Sequence, residues 1–237
     1  MHPENVPVLT AAGIDFCALA NNREAEAPAI FEIPGNLRVI ILSCGTSSSG
    51  IPSAWSALER KAGVFFLYDL SDRSLVRIRE ILDPIRKNGD VVVVSIHWGS
   101  NWGYDIPTRQ VMFAHRLIDE AGVDVVHGHS SHHIRAIEVY NDRPILYGCG
   151  DFLNDCEGIG GHEEFRADLA LMYFLTMDLS TGKMVEMKLV PTKVRRFRVN
   201  RADPTDAVAL HRLLNREGRQ FGTSVELNED HSLSLRW

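Results

Sequence analysis

Residues 90–133 read DVVVVSIHWGSNWGYDIPTRQVMFAHRLIDEAGVDVVHGHSSHH, and this stretch decides the fold. Residues 91–96 are apolar on both faces, as expected of a central strand covered on both sides. Pro107 opens a helix through Met112, Phe113, Leu117 and Ile118, and Gly122 ends it before a second apolar run at 123–126. Strand, helix and strand at this spacing predict a right-handed βαβ unit with neighbouring parallel strands. His97 ends the first run, and His127, His129, His132 and His133 follow the second; these four of the chain's ten histidines fall within seven residues. Ligands of open α/β sheets bind at the carboxyl ends of strands, so both groups are expected to converge on one rim. Neutral imidazole is the commonest protein ligand for zinc-like metals, which makes a metal site the leading reading.

Composition bounds what that rim belongs to. At 237 residues, 45% hydrophobic and 24% charged, the chain can bury a full core. A net charge of −6 argues against a nucleic-acid binder. No apolar run reaches membrane-spanning length and no signal-peptide pattern opens the sequence, so a cytoplasmic protein is expected, with export the alternative if a leader once preceded it. Cys17, Cys44, Cys149 and Cys156 lack a C-x-x-C spacing and read as buried thiols. Self-association into a homo-oligomer is compatible with all of this.

The flanking chain fills in the architecture. A short helix at 8–12 and a strand at 14–20 lead to Asn21-Asn22, and a hairpin joins 29–33 to 37–43 across Pro34-Gly35-Asn36. Residues 44–52, CGTSSSGIP, lack the G-K-[ST] of a phosphate-binding loop and read as a plain connection. Leu75, Ile78, Ile81, Leu82 and Ile85 recur at helical spacing. From 135 the texture turns antiparallel, with strands at 135–140, 144–147, 169–179 and 184–190. Lys193, Arg195, Arg196, Arg198 and Arg201 surround Phe197, and a solvated edge strand is favoured over an anion-binding edge. Asp203-Pro204 opens a last helix by the cap-then-proline rule. One domain over 1–237 is expected, with a βαβ half at 1–130, an antiparallel half at 131–200, and a C-terminal helix and tail at 201–237.

Two nucleophile readings rank low. Ser130 and Ser131 lack the G-x-S-x-G elbow, and Cys149 has no basic neighbour to lower its pKa.

The runs SIHWGSNWGYDIP and FAHRLIDEAGVDVVHGHSSHHIRAIEVYNDRPILYGCGDFLND, with the earlier ALANN, resemble the CapA-type poly-γ-glutamate capsule-synthesis family of the calcineurin-like metallophosphatase superfamily. The resemblance implies an α/β sandwich of two sheets flanked by helices, with a metal centre at the strand ends. It implies Asn22, His97, His129 and His132 as metal ligands; His97, His129 and Arg23 as catalytic; and Arg23, Trp98 and Asp151 against a small-molecule or polymer substrate. The chain departs from the family pattern before residue 8, where no Gly-Asp strand is found, and at Arg23, where a histidine is expected. The usual Asp-x-Gly and its helix are also missing, and with them the carboxylate that would bridge two ions, so the fold is expected to be truncated at the N-terminus. One divalent ion, zinc, manganese or iron, is then the expected complement, and a metal-dependent hydrolase of phosphoester or other ester or amide bonds is the expected activity. The alternative is a non-catalytic capsule-related or scaffold protein. Asp151, Asp155, Glu157, His162, Glu163 and Glu164 are candidate replacement ligands, although a solvated acidic loop is the simpler expectation.

Overall fold

The computed structural model describes residues 21–22, 28–35, 37–58, 61, 63–153 and 159–237. The helix and strand expected before residue 21 lie outside them, as do Arg23, Asp155, Glu157, Cys17 and Cys156 and the side chain of Asn22. Chain order begins with β1 (Asn21–Asn22), β2 (Ala29–Ile33), β3 (Leu37–Thr46), β4 (Gly63–Val64), β5 (Phe66–Leu67) and α1 (Asp72–Leu82). It continues through β6 (Val91–His97), α2 (Thr108–Asp119), β7 (Val125–His129), β8 (Ile137–Tyr140) and β9 (Arg143–Leu146). The remainder is β10 (Leu169–Asp178), β11 (Lys183–Arg195), β12 (Arg198–Arg201), α3 (Pro204–Gly218), β13 (Ser224–Leu227) and β14 (Leu233–Arg236).

These elements form an α/β structure of two sheets. The larger runs in the order β2-β3-β6-β7-β9-β8, with β5 also on β3; the smaller runs β10-β11-β14-β13, with β12 on the outside of β11. Strands β3, β6, β7 and β9 are mutually parallel, and β2 and β8 close the ends antiparallel. The expected βαβ unit is therefore present, with β6 and β7 adjacent and α2 as the crossover.

Alternation along β6 divides its side chains. Val92, Val94 and Ile96 are fully buried with Leu75, Ile78 and Leu82 of α1 and Phe113, Ala114 and Leu117 of α2. Val91, Val93, Ser95 and His97 point to the other face, where Val91, Val93 and His97 are only half-buried. The sheet is thus sealed on the helix side and partly open on the other, a correction to the expectation of equal cover. A second core joins Ile134, Ile137 and Leu146 to the small sheet through Leu169, Leu171, Met187 and Leu189, with Leu210 and Leu214 of α3 packed in. Asp203 caps α3 by accepting from the Asp206 amide at 2.9 Å.

Several boundaries moved. The Val123 amide donates to the Leu117 carbonyl and the Asp124 amide to that of Val92, and the strand begins only at Val125, whereas β11 runs on to Arg195 and takes in part of the basic run. The stretch after α3, expected as a tail, is the β13-β14 hairpin, whose second strand pairs with β11.

Gly128 is one position where this packing leaves no room for a side chain. A Cβ there would meet Trp98 Nε1 at 2.5 Å and the carbonyl oxygens of Leu146 and Tyr147 at 2.6 and 2.8 Å. Two of those three atoms are backbone and cannot swing aside. Gly128→Ala should therefore destabilise the protein by about 1–3 kcal/mol or more, read as a lower urea midpoint with an unchanged slope.

Candidate functional site

The rim is built by register. In the parallel pair, Ser95 lies opposite His127 and His97 opposite His129, so successive rungs present polar side chains on the face away from the helices. Ser95 Oγ and His127 Nδ1 are 3.0 Å apart. One rung further, the Nδ1 atoms of His97 and His129 are 2.9 Å apart, with the rings edge-on at 4.8 Å between centroids. The same alternation sends Trp98 to the opposite face. Trp98 is 1% exposed, stacks on Tyr147 and donates Nε1–H to the Tyr147 carbonyl at 3.2 Å. Its expected contact with substrate is therefore corrected: Trp98 is a core residue that holds the strand end.

The backbone beyond His97 is tightly held. Its carbonyl accepts from Thr46 Oγ1 at 3.3 Å and Ser49 Oγ at 3.1 Å, and the Gly99 amide donates to Ser48 Oγ at 3.0 Å. The serine-rich stretch read as a plain connection is thus a brace for the His97 turn. The Trp98 amide donates to the His129 carbonyl and the His132 amide to that of Asn101, zipping the two strand-end loops together. Buried Arg135 ties down the same loop, donating to the Ser100 carbonyl at 3.0 Å and hydroxyl at 2.9 Å. Ser130 and Ser131 spend their hydroxyls on the carbonyls of Gly99 and His133, which removes both as nucleophiles. Cys149 is also removed: burial pushes its thiol up to about 12.

His132 and Asp151, expected to serve as metal ligand and substrate contact respectively, bond to each other, Nδ1 to Oδ2 at 2.9 Å. This leaves Nε2 as the ring nitrogen of His132 for any further partner. Around them is an aromatic wall that the sequence did not reveal. Trp102 stacks on His162 at 4.1 Å and lies 5.4 Å from His132, while Phe165 and Tyr104 enclose fully buried His133. His162 is therefore part of the rim and not of a solvated loop, whereas Glu163 turns back to the Gly161 amide. The available signal was the second tryptophan in HWGSNWG, four residues beyond Trp98. His115 pairs with Glu138 and His211 with Asn215, both away from the rim.

Electrostatics favour neutral imidazoles here. Burial, with the like charge of His127 and His97, takes His129 down to about 3. Burial and nearby His132 lower His97 as well. Neutral nitrogen is the form that binds a metal. The 2.9 Å contact is a hydrogen bond in which one Nδ1 carries the proton and the other accepts it, so an ion held by both Nδ1 atoms would take the place of that proton. Among the described residues, no group of three or more His, Cys, Asp or Glu side chains is arranged to hold a metal.

The chain's similarities agree with its architecture. The family described as bacterial capsule synthesis protein PGA_cap matches residues 22–156. A probable polyglutamine synthesis accessory protein of Mycobacterium tuberculosis is 40% identical over 269 residues, covering 99% of this chain and 70% of the relative. That alignment is longer than the 237-residue chain, so the relative carries segments inside the matched region without a counterpart here. The capsule biosynthesis protein CapA of Bacillus anthracis is 26% identical over 152 residues, 64% of this chain and 36% of its own. The PGA biosynthesis protein CapA of Bacillus subtilis is 39% identical over 75 residues, 32% of this chain and 20% of its own.

The depressed histidines set a pH dependence. Unfolded histidine takes up a proton near pH 6.5, whereas folded His129 resists protonation until about pH 3. Stability is therefore fully present above pH 6.5 and falls as pH drops toward 3, because only the unfolded chain gains the proton. In chelator-treated protein, His129→Gln should flatten this acid limb of the urea midpoint against pH.

Proposed function

This chain belongs to the PGA_cap family of bacterial capsule synthesis proteins, and from that premise we propose that it is an accessory protein of glutamate-polymer capsule synthesis working as a metal-dependent hydrolase. The bonds in question are phosphoester, carboxylic ester or amide bonds. The observation that carries the reading is the facing pair His97 and His129, neutral and 2.9 Å apart at the ends of adjacent parallel strands. A divalent ion held there would supply Lewis acidity and draw the pKa of water toward about 7.

The chain's own residues have separate tasks in this proposal. His97 and His129 bring their Nδ1 atoms together from a braced strand end, and an ion would displace the proton that the two nitrogens share. Asp151 holds Nδ1 of His132 and so directs Nε2 outward, the carboxylate–histidine arrangement typical of metal sites. Arg23 and the Asn22 side chain lie outside the described residues. In the proposal Asn22 completes the ligand set and Arg23, permanently charged, forks onto an anionic group of the substrate. A single ion is the proposed complement; it would leave the departing oxygen less stabilised than a two-ion site would, and turnover would be slow.

A second reading, an accessory protein without catalysis, is favoured by one observation: no three-ligand group forms among the described residues. Metal analysis and hydrolysis assays separate the two. The hydrolase reading expects about one equivalent of a transition metal and chelator-sensitive cleavage of activated phosphoesters or carboxylic esters. It also expects abolition of that cleavage in His129→Ala and a roughly 10- to 100-fold loss in Asp151→Asn. Cleavage that survives both EDTA and His129→Ala would sink it, and protein that holds no metal and cleaves nothing would establish the accessory reading.

A further inference from the structure

The basic run at 193–201 separates in the structure into two groups that do different things. Lys193 and Arg201, on the body of the β11-β12 hairpin, are structural: Lys193 Nζ is 2.7 Å from Asp206 and 3.5 Å from Asp168, and Arg201 reaches Asp230. Arg195, Arg196 and Arg198, at its tip, are exposed, and among the described residues no carboxylate pairs with any of their guanidiniums. Together with Asn200 they line a cavity of about 450 Å³. In a chain of net charge −6, where most of the other arginines of the small sheet are ion-paired, this is a concentrated positive island.

The tip is also a built feature. Arg195 pairs with Arg198 across a two-residue turn, and both turn residues, Arg196 and Phe197, have positive φ, 53° and 56°. Asn-Gly adopts that conformation cheaply; arginine and phenylalanine adopt it at a cost. The side-chain amide of Asn200 fastens the turn by donating to the carbonyls of Arg195 at 3.2 Å and Arg198 at 2.9 Å. Phe197 is 66% exposed.

We propose that the tip formed by Arg195, Arg196, Phe197 and Arg198 is a binding site for a flexible polymer bearing repeated carboxylates. Guanidinium forks match carboxylates two bonds at a time, and the exposed Phe197 ring offers apolar contact to the methylene stems between them. Such a polymer can place single carboxylates on the tip while its remainder avoids the acidic body. A nucleic acid, with a charge every ~1.7 Å along its axis, would be repelled by that body over most of its length. The hairpin is tied to the segment that carries His162. The Val194 amide bonds to the Asp168 carbonyl, and residues 162–168 lead directly back to His162 and Phe165 on Trp102. The ligand class draws on the family membership, but the site needs no metal and stands apart from the hydrolase reading.

Fluorescence anisotropy of dye-labelled poly-L-glutamate with the full chain tests this. Binding should be weakened by salt, unchanged by EDTA, and reduced by roughly tenfold or more in the R195A/R196A/R198A variant. The R195K/R196K/R198K variant, which keeps charge and loses the forks, should fall between the two. Metal content and hydrolysis should be the same in all three proteins, so failure of this site and failure of the metal reading give different results. No binding by the wild type, equal affinity in the alanine variant, or equal tip-dependent binding of an oligothymidylate of matched charge would each overturn the proposal.

Discussion

The pairing register of β6 with β7 is the constraint on which the rest depends. With Ser95 opposite His127 and His97 opposite His129, every second residue of both strands faces the helices and every other faces the rim. A slip of one residue would send the histidines into the apolar layer with Phe113 and Leu117 and expose valine instead. Gly128 and Trp98 protect that register from the opposite side, since the indole and two carbonyls occupy the space a larger residue would need. The rim is thus a by-product of a well-packed core.

Charge is distributed with the same logic. Burial disfavours the charged forms of His97 and His129, and Asp151 is engaged with His132. Two groups of arginines are placed differently. Arg135 is buried beneath the rim on neutral oxygens, where it organises loops, and the hairpin tip is solvent-facing, where it is open to ligands. The imidazole pair and the guanidinium cluster occupy separate places: His162 and Phe165 pack on Trp102 at the rim, and Asp168, further along the same segment, accepts from the Val194 amide of the hairpin.

Much of this was legible in the chain. The two apolar runs, the helix between them and the Gly122 stop determined the βαβ unit, and Asp203-Pro204 determined the start of α3, because local periodicity and capping act within one turn or one strand. Histidines placed just after apolar runs marked the rim. Other features left no local trace. Trp98 and His97 are neighbours in sequence, yet strand alternation separates core from rim, and which face is which depends on where the helices pack. The stacking of His162 on Trp102 joins residues 60 positions apart in the chain. Which cations of the basic run are paired depended on Asp168, Asp206 and Asp230, none of which is within the run. Sequence by itself determined the elements and the residue types available for chemistry, because these follow from short-range sterics and hydrophobic period. Only the tertiary structure decided which side chains face one another, since burial, pairing and proton affinity arise from contacts between distant segments.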